Sequence, residues 1–164
     1  MVFIMDKVEI VNVKVDNIDD LFNNFDDEDI SDELATYIEN RCSRTMKNDM
    51  MIKIFTKEEL DNETKDKIVT AIRSHYGIEK KFLDIEIKKL QKVNIYYFIA
   101  GILTVLVANV LPLGKFIPDV IDVLGGFIIY ESAFNLLFTD NELDLKSYRA
   151  IKISKSRIMF EYKK

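Results

Sequence analysis

The stretch "GGFIIYESAFNLLF", residues 125 to 138, sets one carboxylate, Glu131, in an otherwise apolar run, with Asn135 one helical turn beyond it. Near the centre of a bilayer such a charge costs about 2.5–3.5 kcal/mol, and less toward the interface, so something has to satisfy it. Three roles meet that requirement. Glu131 can contact a second copy of the chain or another membrane subunit, it can line a small polar pathway, or it can lie shallow enough to reach the cytoplasmic interface. Asn109 and Asp122 are polar residues of the same apolar region and belong with this group.

Elsewhere the residue types that support catalysis or metal binding lack companions. Cys42 is the single cysteine, which excludes a disulfide framework and a multi-cysteine zinc site. His75, the single histidine, sits in the polar helical stretch "AIRSHYGIEK" and is expected to make a surface or interhelical contact. The acidic run "DNIDDLFNNFDDEDISDE" offers clustered oxygens of the kind calcium takes. It has no glycine for the sharp turn of an EF-hand, and Ile30 interrupts the acids about Asp26 and Glu28. It reads as a loop anchored by Leu21, Phe22 and Phe25, whose acids stay solvated and cap the following helix. No Walker loop, GxSxG, HExxH or GxGxxG is present, so no catalytic residue, metal ligand or cofactor is assigned. The formal net charge of −5 argues against a nucleic-acid-binding surface.

Two apolar stretches position Glu131. From Val93 to Gly114 no side chain is charged, and a helix of roughly 20 residues crosses a hydrocarbon core of about 30 Å. Val120 to Phe138 is of similar length, interrupted only by Asp122 and Glu131. Buried helices of soluble proteins are usually shorter, so both stretches are read as membrane spans. Lys80, Lys81, Lys88, Lys89 and Lys92 precede the first, and Lys146, Arg149, Lys152, Lys155 and Arg157 follow the second, whereas the connection holds only Lys115. Positive residues stay on the cytoplasmic side. This predicts a multi-pass protein of the cell membrane with both termini cytoplasmic and a tight turn at Pro112, Gly114 and Pro118 on the far side. "MVFIMDKVEIVN" meets Asp6 before an apolar region of signal-peptide length develops, so the first span is the expected insertion signal.

The expected organisation is a cytoplasmic α+β domain over 1–92 leading into a long helix, a transmembrane helical hairpin over 93–139, and a cytoplasmic tail over 140–164 that can return as a strand. "KVEIVNVKV" and "MMIKIFT" alternate as strands do, with Met50, Ile52 and Ile54 on one face of the second. "SDELATYIENRC" places Leu34, Tyr37, Ile38 and Cys42 at helical spacing, behind acidic residues that suit a helix N-terminus. Thr56 stands three residues before Glu59, a capping-box pattern for another helix. That helix carries Ile68, Ile72 and Tyr76 on one stripe, and Gly77 can bend or break it. From Phe82 helical spacing runs into the first span without a proline, which ties the domain closely to the bilayer. "TDNELDLKSYRAIKI" extends the second helix or turns, and "SRIMFEYKK" alternates Ile158, Phe160 and Tyr162 as a third strand that can close the domain. The fold class is α+β, a small cytoplasmic α/β domain fused to a two-helix transmembrane hairpin.

Helices in lipid associate where small residues let their backbones approach. Ala100, Thr104 and Ala108 recur every four residues on the first span, and Asp122, Gly125, Gly126, Ile129 and Ala133 share one side of the second. These faces are expected to meet within the hairpin. Glu131, nine residues beyond Asp122 and half a turn round in projection, then faces away together with Asn135.

"DLFNNFD" after a short strand, "AIRSHY" before the first span and "YESAFNLLFTD" late in the second resemble a family of small bacterial two-span membrane proteins of uncharacterised activity. The matching positions are Asp20, Leu21, Phe22 and Asn23, then Ile72, Arg73, His75 and Tyr76, then Tyr130, Glu131 and Asp140. The resemblance implies a topology and not a reaction. The expected function is a non-enzymatic, membrane-anchored binding or assembly module that contacts lipid and self-associates or joins another membrane subunit. The alternative is a small channel, transporter component or membrane-disrupting effector, built by oligomerising the hairpin around Glu131, Asn135 and Asn109. An enzyme stands behind both, for want of a nucleophile-and-base constellation.

Overall fold

A computed structural model describes residues 8–24, 26–42, 49–110 and 116–162, apart from the side chains of Asp27, Thr139, Asp140 and Asn141. In chain order the elements are β1 (Glu9–Lys14), a 3-10 turn at Ile18–Leu21, β2 (Phe22–Asn23), β3 (Asp26–Ile30), α1 (Asp32–Arg41), β4 (Met50–Thr56) and α2 (Asn62–Val110). There follow α3 (Phe116–Phe134), a π turn at Asn135–Thr139, α4 (Asp140–Ser154) and β5 (Arg157–Tyr162). The fold is mixed α and β, and it divides into two units: Met1–Lys81 with Lys146–Lys164, and Phe82–Leu145.

The first unit is built on a three-stranded parallel sheet in the order β1-β4-β5. Parallel neighbours need long crossovers, and here α1 lies between β1 and β4 in the chain, with all the later helices between β4 and β5. Successive strand residues face opposite sides. Val11 and Val13 of β1, Ile52 and Ile54 of β4, and the half-buried Ile158 and Phe160 of β5 pack with Leu34 and Ile38 of α1, Ile68, Ile72 and Tyr76 of α2, and Ala150 and Ile153 of α4. The opposite face carries exposed Ile10, Asn12 and Lys14, with Lys53 paired to Glu161 at 2.6 Å. On the inner face Glu9 meets Lys152 of α4 at 2.6 Å, a largely buried ion pair. The edge of β1 is closed in part by Tyr37, whose hydroxyl donates to the Asn12 carbonyl at 2.6 Å.

Several local expectations are corrected here. The acidic run is not a plain loop: β2 and β3 form a short antiparallel hairpin within it, because Leu21 and Ile30 bury into the core and draw the intervening chain into register. Phe25 lies outside the described residues. The capping box at Thr56 does not form. Thr56 ends β4 and its hydroxyl donates to the Glu58 carbonyl at 2.8 Å. Asp61 caps α2 instead, accepting from the Thr64 N–H at 3.2 Å, the usual work of an aspartate ahead of a first helical turn. α2 continues unbroken through Gly77. The acids ahead of α1 flank a different cap, Ser31, whose Oγ accepts from the Leu34 N–H at 3.3 Å.

The second unit consists of the later part of α2, then α3, the π turn and the start of α4. Two helices, Asn62–Val110 and Phe116–Ser154, are long and apolar enough to cross a membrane, and only 17% and 11% of their most apolar windows are buried. Pro118 stands in the first turn of α3, where a missing N–H breaks no helical hydrogen bond. Pro112 and Gly114, the rest of the expected turn, lie outside the described residues.

Candidate functional site in the apolar helices

Within the second unit α2 and α3 run antiparallel, as three contacts in opposite order establish. Gly101 lies against Ile129, Gly125 against Val105, and Asn109 against Asp122. A Cβ at Gly101 would stand 2.8 Å from Ile129 Cγ1 and 3.1 Å from the Gly125 carbonyl oxygen, so the backbones touch where neither residue has a side chain. The buried residues of this seam are Asn94, Gly101 and Ala108 on α2, and Gly125 and Ser132 on α3.

These positions recur every seven residues, the spacing of helices that pack side by side along their length. A seven-residue step drifts only about 20° round a straight helix, whereas a four-residue step advances about 40° at 3.6 residues per turn. That difference separates the seam from the expected stripe. Ala108 is buried in it, Thr104 is half-buried with its hydroxyl donating to the Ala100 carbonyl at 2.8 Å, and Ala100 is exposed. On α3, Gly125 is in the seam, Ala133 is half-buried, and Gly126 is exposed with open space where a Cβ would stand. Gly101 and Ser132 were missed, although the seven-residue repeat of small side chains was present to be read.

The polar residues divide into two groups. Asn109 donates from Nδ2 to the two carboxylate oxygens of Asp122 at 3.1 and 3.3 Å, and also to the Val105 carbonyl at 2.9 Å. This bond joins the two helices and gives Asp122 a donor from the facing helix. Glu131 is exposed and its carboxylate has no hydrogen-bond or ion-pair partner among the described residues. Asn135 is half-buried and opens the π turn, which widens the helix one turn beyond Glu131. Such turns gather at functional positions. Beside them Tyr130, Phe134 and Phe138 form an exposed aromatic ladder, with ring centroids 6.2 and 4.7 Å apart.

The titratable groups of the first unit point away from nucleophilic catalysis. Burial pushes the Cys42 thiol up, which keeps it from becoming the thiolate that nucleophilic chemistry requires. His75 Nδ1 lies 2.8 Å from Asp29 Oδ1, so the histidine ties α2 to β3. A cavity of about 220 Å³ is lined by Glu39, Tyr76, Glu79, Lys146 and Arg149. Burial, reinforced by the nearby Glu39, raises the Glu79 carboxyl above its ordinary range, and burial raises Tyr76, whose hydroxyl donates to the Ala35 carbonyl at 3.1 Å. Glu79 Oε2 and Arg149 Nε are buried without a partner among the described residues. Among the described residues no three His, Cys, Asp or Glu side chains gather into a group able to hold a metal ion.

No protein-family model, no curated protein and no solved structure matches this chain.

Proposed function

We propose that the chain is an integral protein of the cell membrane whose two apolar helices form a transmembrane hairpin. In this reading the hairpin holds the α+β unit in the cytoplasm as a non-enzymatic binding and assembly module, and self-associates through its outer face. The observation that carries it is the outward display of large apolar side chains. Tyr96, Val110, Phe116 and Val123 are 71%, 81%, 78% and 72% exposed. Soluble monomers rarely expose a contiguous patch of this kind, whereas lipid covers one without cost.

Two further features support the reading. The first unit draws residues from before and after the two apolar helices, joined by the pairing of β4 with β5. That pairing supports a two-span reading, in which both flanks of the hairpin lie on the same side of a bilayer. Aromatic side chains also gather at one end of the helix pair, Tyr96 and Tyr97 on α2 and Phe134 and Phe138 beside them in the antiparallel arrangement, as at a membrane interface. One observation favours the second reading, a pore made by oligomerised hairpins: the exposed, unpartnered Glu131.

The test is extraction and accessibility. The chain is expected to stay with membranes in alkaline carbonate and to leave them only in detergent, and tags at either terminus should be cut by protease only after cells are permeabilised. Release by carbonate would defeat the anchor, and a tag cut in intact cells would defeat the topology. Selective ion flux in liposomes holding the purified chain favours the pore, and silence favours the module.

A further inference from the structure

A cleft of about 680 Å³ lies at the N-terminal end of the parallel sheet in the first unit, lined by Met50 and Arg157, the first residues of β4 and β5. Arg73 of α2, Lys152 of α4, Lys155 and Arg157 all line it, against one carboxylate, Asp49. Lys152 is matched by Glu9. Arg73, Lys155 and Arg157 have no ion-pair partner among the described residues. Ser156 lines the same cleft, is 3% exposed, and its Oγ has no hydrogen-bond partner among the described residues.

Three unmatched cations gathered in one cleft of a chain with net charge −5 repel one another unless an anion joins them. The dipole of α4 favours a cation at its C-terminal end, which accounts for Lys155. It accounts for neither Arg73, from the middle of another helix, nor Arg157, from a strand. A buried hydroxyl without a partner carries a desolvation penalty, and a bound acceptor would remove it. Guanidinium forks match phosphate oxygens in pairs, and a phosphate dianion takes more donors than a single carboxylate. A cleft of several hundred Å³ holds a small-molecule ligand, so there is room for more than the phosphate, against the apolar wall of Val8 and Ile151.

We propose that this cleft binds a phosphate-bearing group, a small molecule's or a lipid headgroup's, through Arg73, Lys155 and Arg157, with Ser156 donating its hydroxyl. The site belongs to the first unit alone and does not depend on assembly of the hairpin.

The test uses the full chain in a non-ionic detergent, titrated calorimetrically with inorganic pyrophosphate and with a short-chain phosphatidylglycerol below its own micelle concentration. Arg73 and Arg157 are exposed, so their replacement spares the core. Arg73→Gln and Arg157→Gln should each weaken binding about tenfold or more, and Ser156→Ala should weaken it several-fold with the charge unchanged. Lys57→Gln is the control, since Lys57 pairs with exposed Asp16 outside the cleft, and it should bind as the parent does. Tighter binding of pyrophosphate identifies a free phosphate compound as the source, and tighter binding of the lipid identifies a headgroup. No heat with either probe overturns the proposal, and so does a loss in Lys57→Gln as large as in the arginine variants.

Discussion

At Gly101 a single methyl group has nowhere to go. Its Cβ would meet Ile129 at 2.8 Å and the backbone oxygen of Gly125 at 3.1 Å, and a Cβ at Gly125 would meet Val105 Cγ2 at 2.7 Å. Gly77 has nothing within 4 Å of that position. The same substitution should therefore act in opposite directions. Gly77→Ala removes backbone freedom from an open helical site and should stabilise α2 by about 0.8–1 kcal/mol. Gly101→Ala forces the helix pair apart or drives Ile129 off its rotamer, an overpacking cost of about 1–3 kcal/mol. Unfolding midpoints of the two full-length variants in one detergent measure the contrast. Equal midpoints would mean that the close crossing contributes nothing to the folded chain.

Among the elements, those with a local signal were legible. The stretch "MMIKIFT" locates β4 at its observed bounds, with Met50, Ile52 and Ile54 inward as their alternate spacing implies. The long apolar stretches were legible as helices, over residues 93–110 and 120–134, because a helix satisfies its own backbone hydrogen bonds whatever surrounds it. What stayed hidden depends on contacts across the fold. β3 reads "DDEDI", a poor strand by propensity, and forms because Ile30 is drawn into the core. Thr56 has the pattern of a cap, but the sheet claims it first. The pair of Glu9 with Lys152 joins residues 143 apart, a separation over which no periodicity speaks. That pair also carries a prediction. Lys152→Met alone removes the cation facing the largely buried Glu9 carboxylate, and should destabilise the first unit by up to about 3–5 kcal/mol. Glu9→Leu combined with Lys152→Met removes both charges and should recover most of the loss. Urea unfolding of the full chain reads the difference; a double variant no better than the single would show that the lysine acts through packing alone.

For the whole molecule, the proposed self-association in a bilayer turns on Glu131. The seam between α2 and α3 is closed by glycines and by the bond from Asn109 to Asp122, so it offers Glu131 no place. Because Ile129 packs against Gly101 in an antiparallel pair, Glu131 stands level with about residue 99 of α2, roughly 9 Å beyond Val93 at 1.5 Å per residue. That level is about 3–5 Å beyond Tyr96 and Tyr97, so in the proposed hairpin Glu131 lies just on the lipid side of the aromatic end, and a glutamate side chain is short. Under the proposed self-association, a second protomer presenting its own Glu131 and Asn135 would supply the hydrogen bonds. Interhelical polar contacts in membranes contribute about 0.6 kcal/mol on average and at most a couple, while a carboxylate facing lipid costs more. Glu131→Leu should therefore insert as well as the parent or better, yet associate more weakly. Glu131→Gln keeps the hydrogen bonding without the charge and should assemble as the parent does, while under the pore reading it would abolish any proton-coupled flux. If Glu131 instead reaches the water at the interface, neither change alters assembly. Native mass measurements of the parent and both variants at matched detergent separate these outcomes, and an unaltered mass for Glu131→Leu would remove Glu131 from the contact between chains.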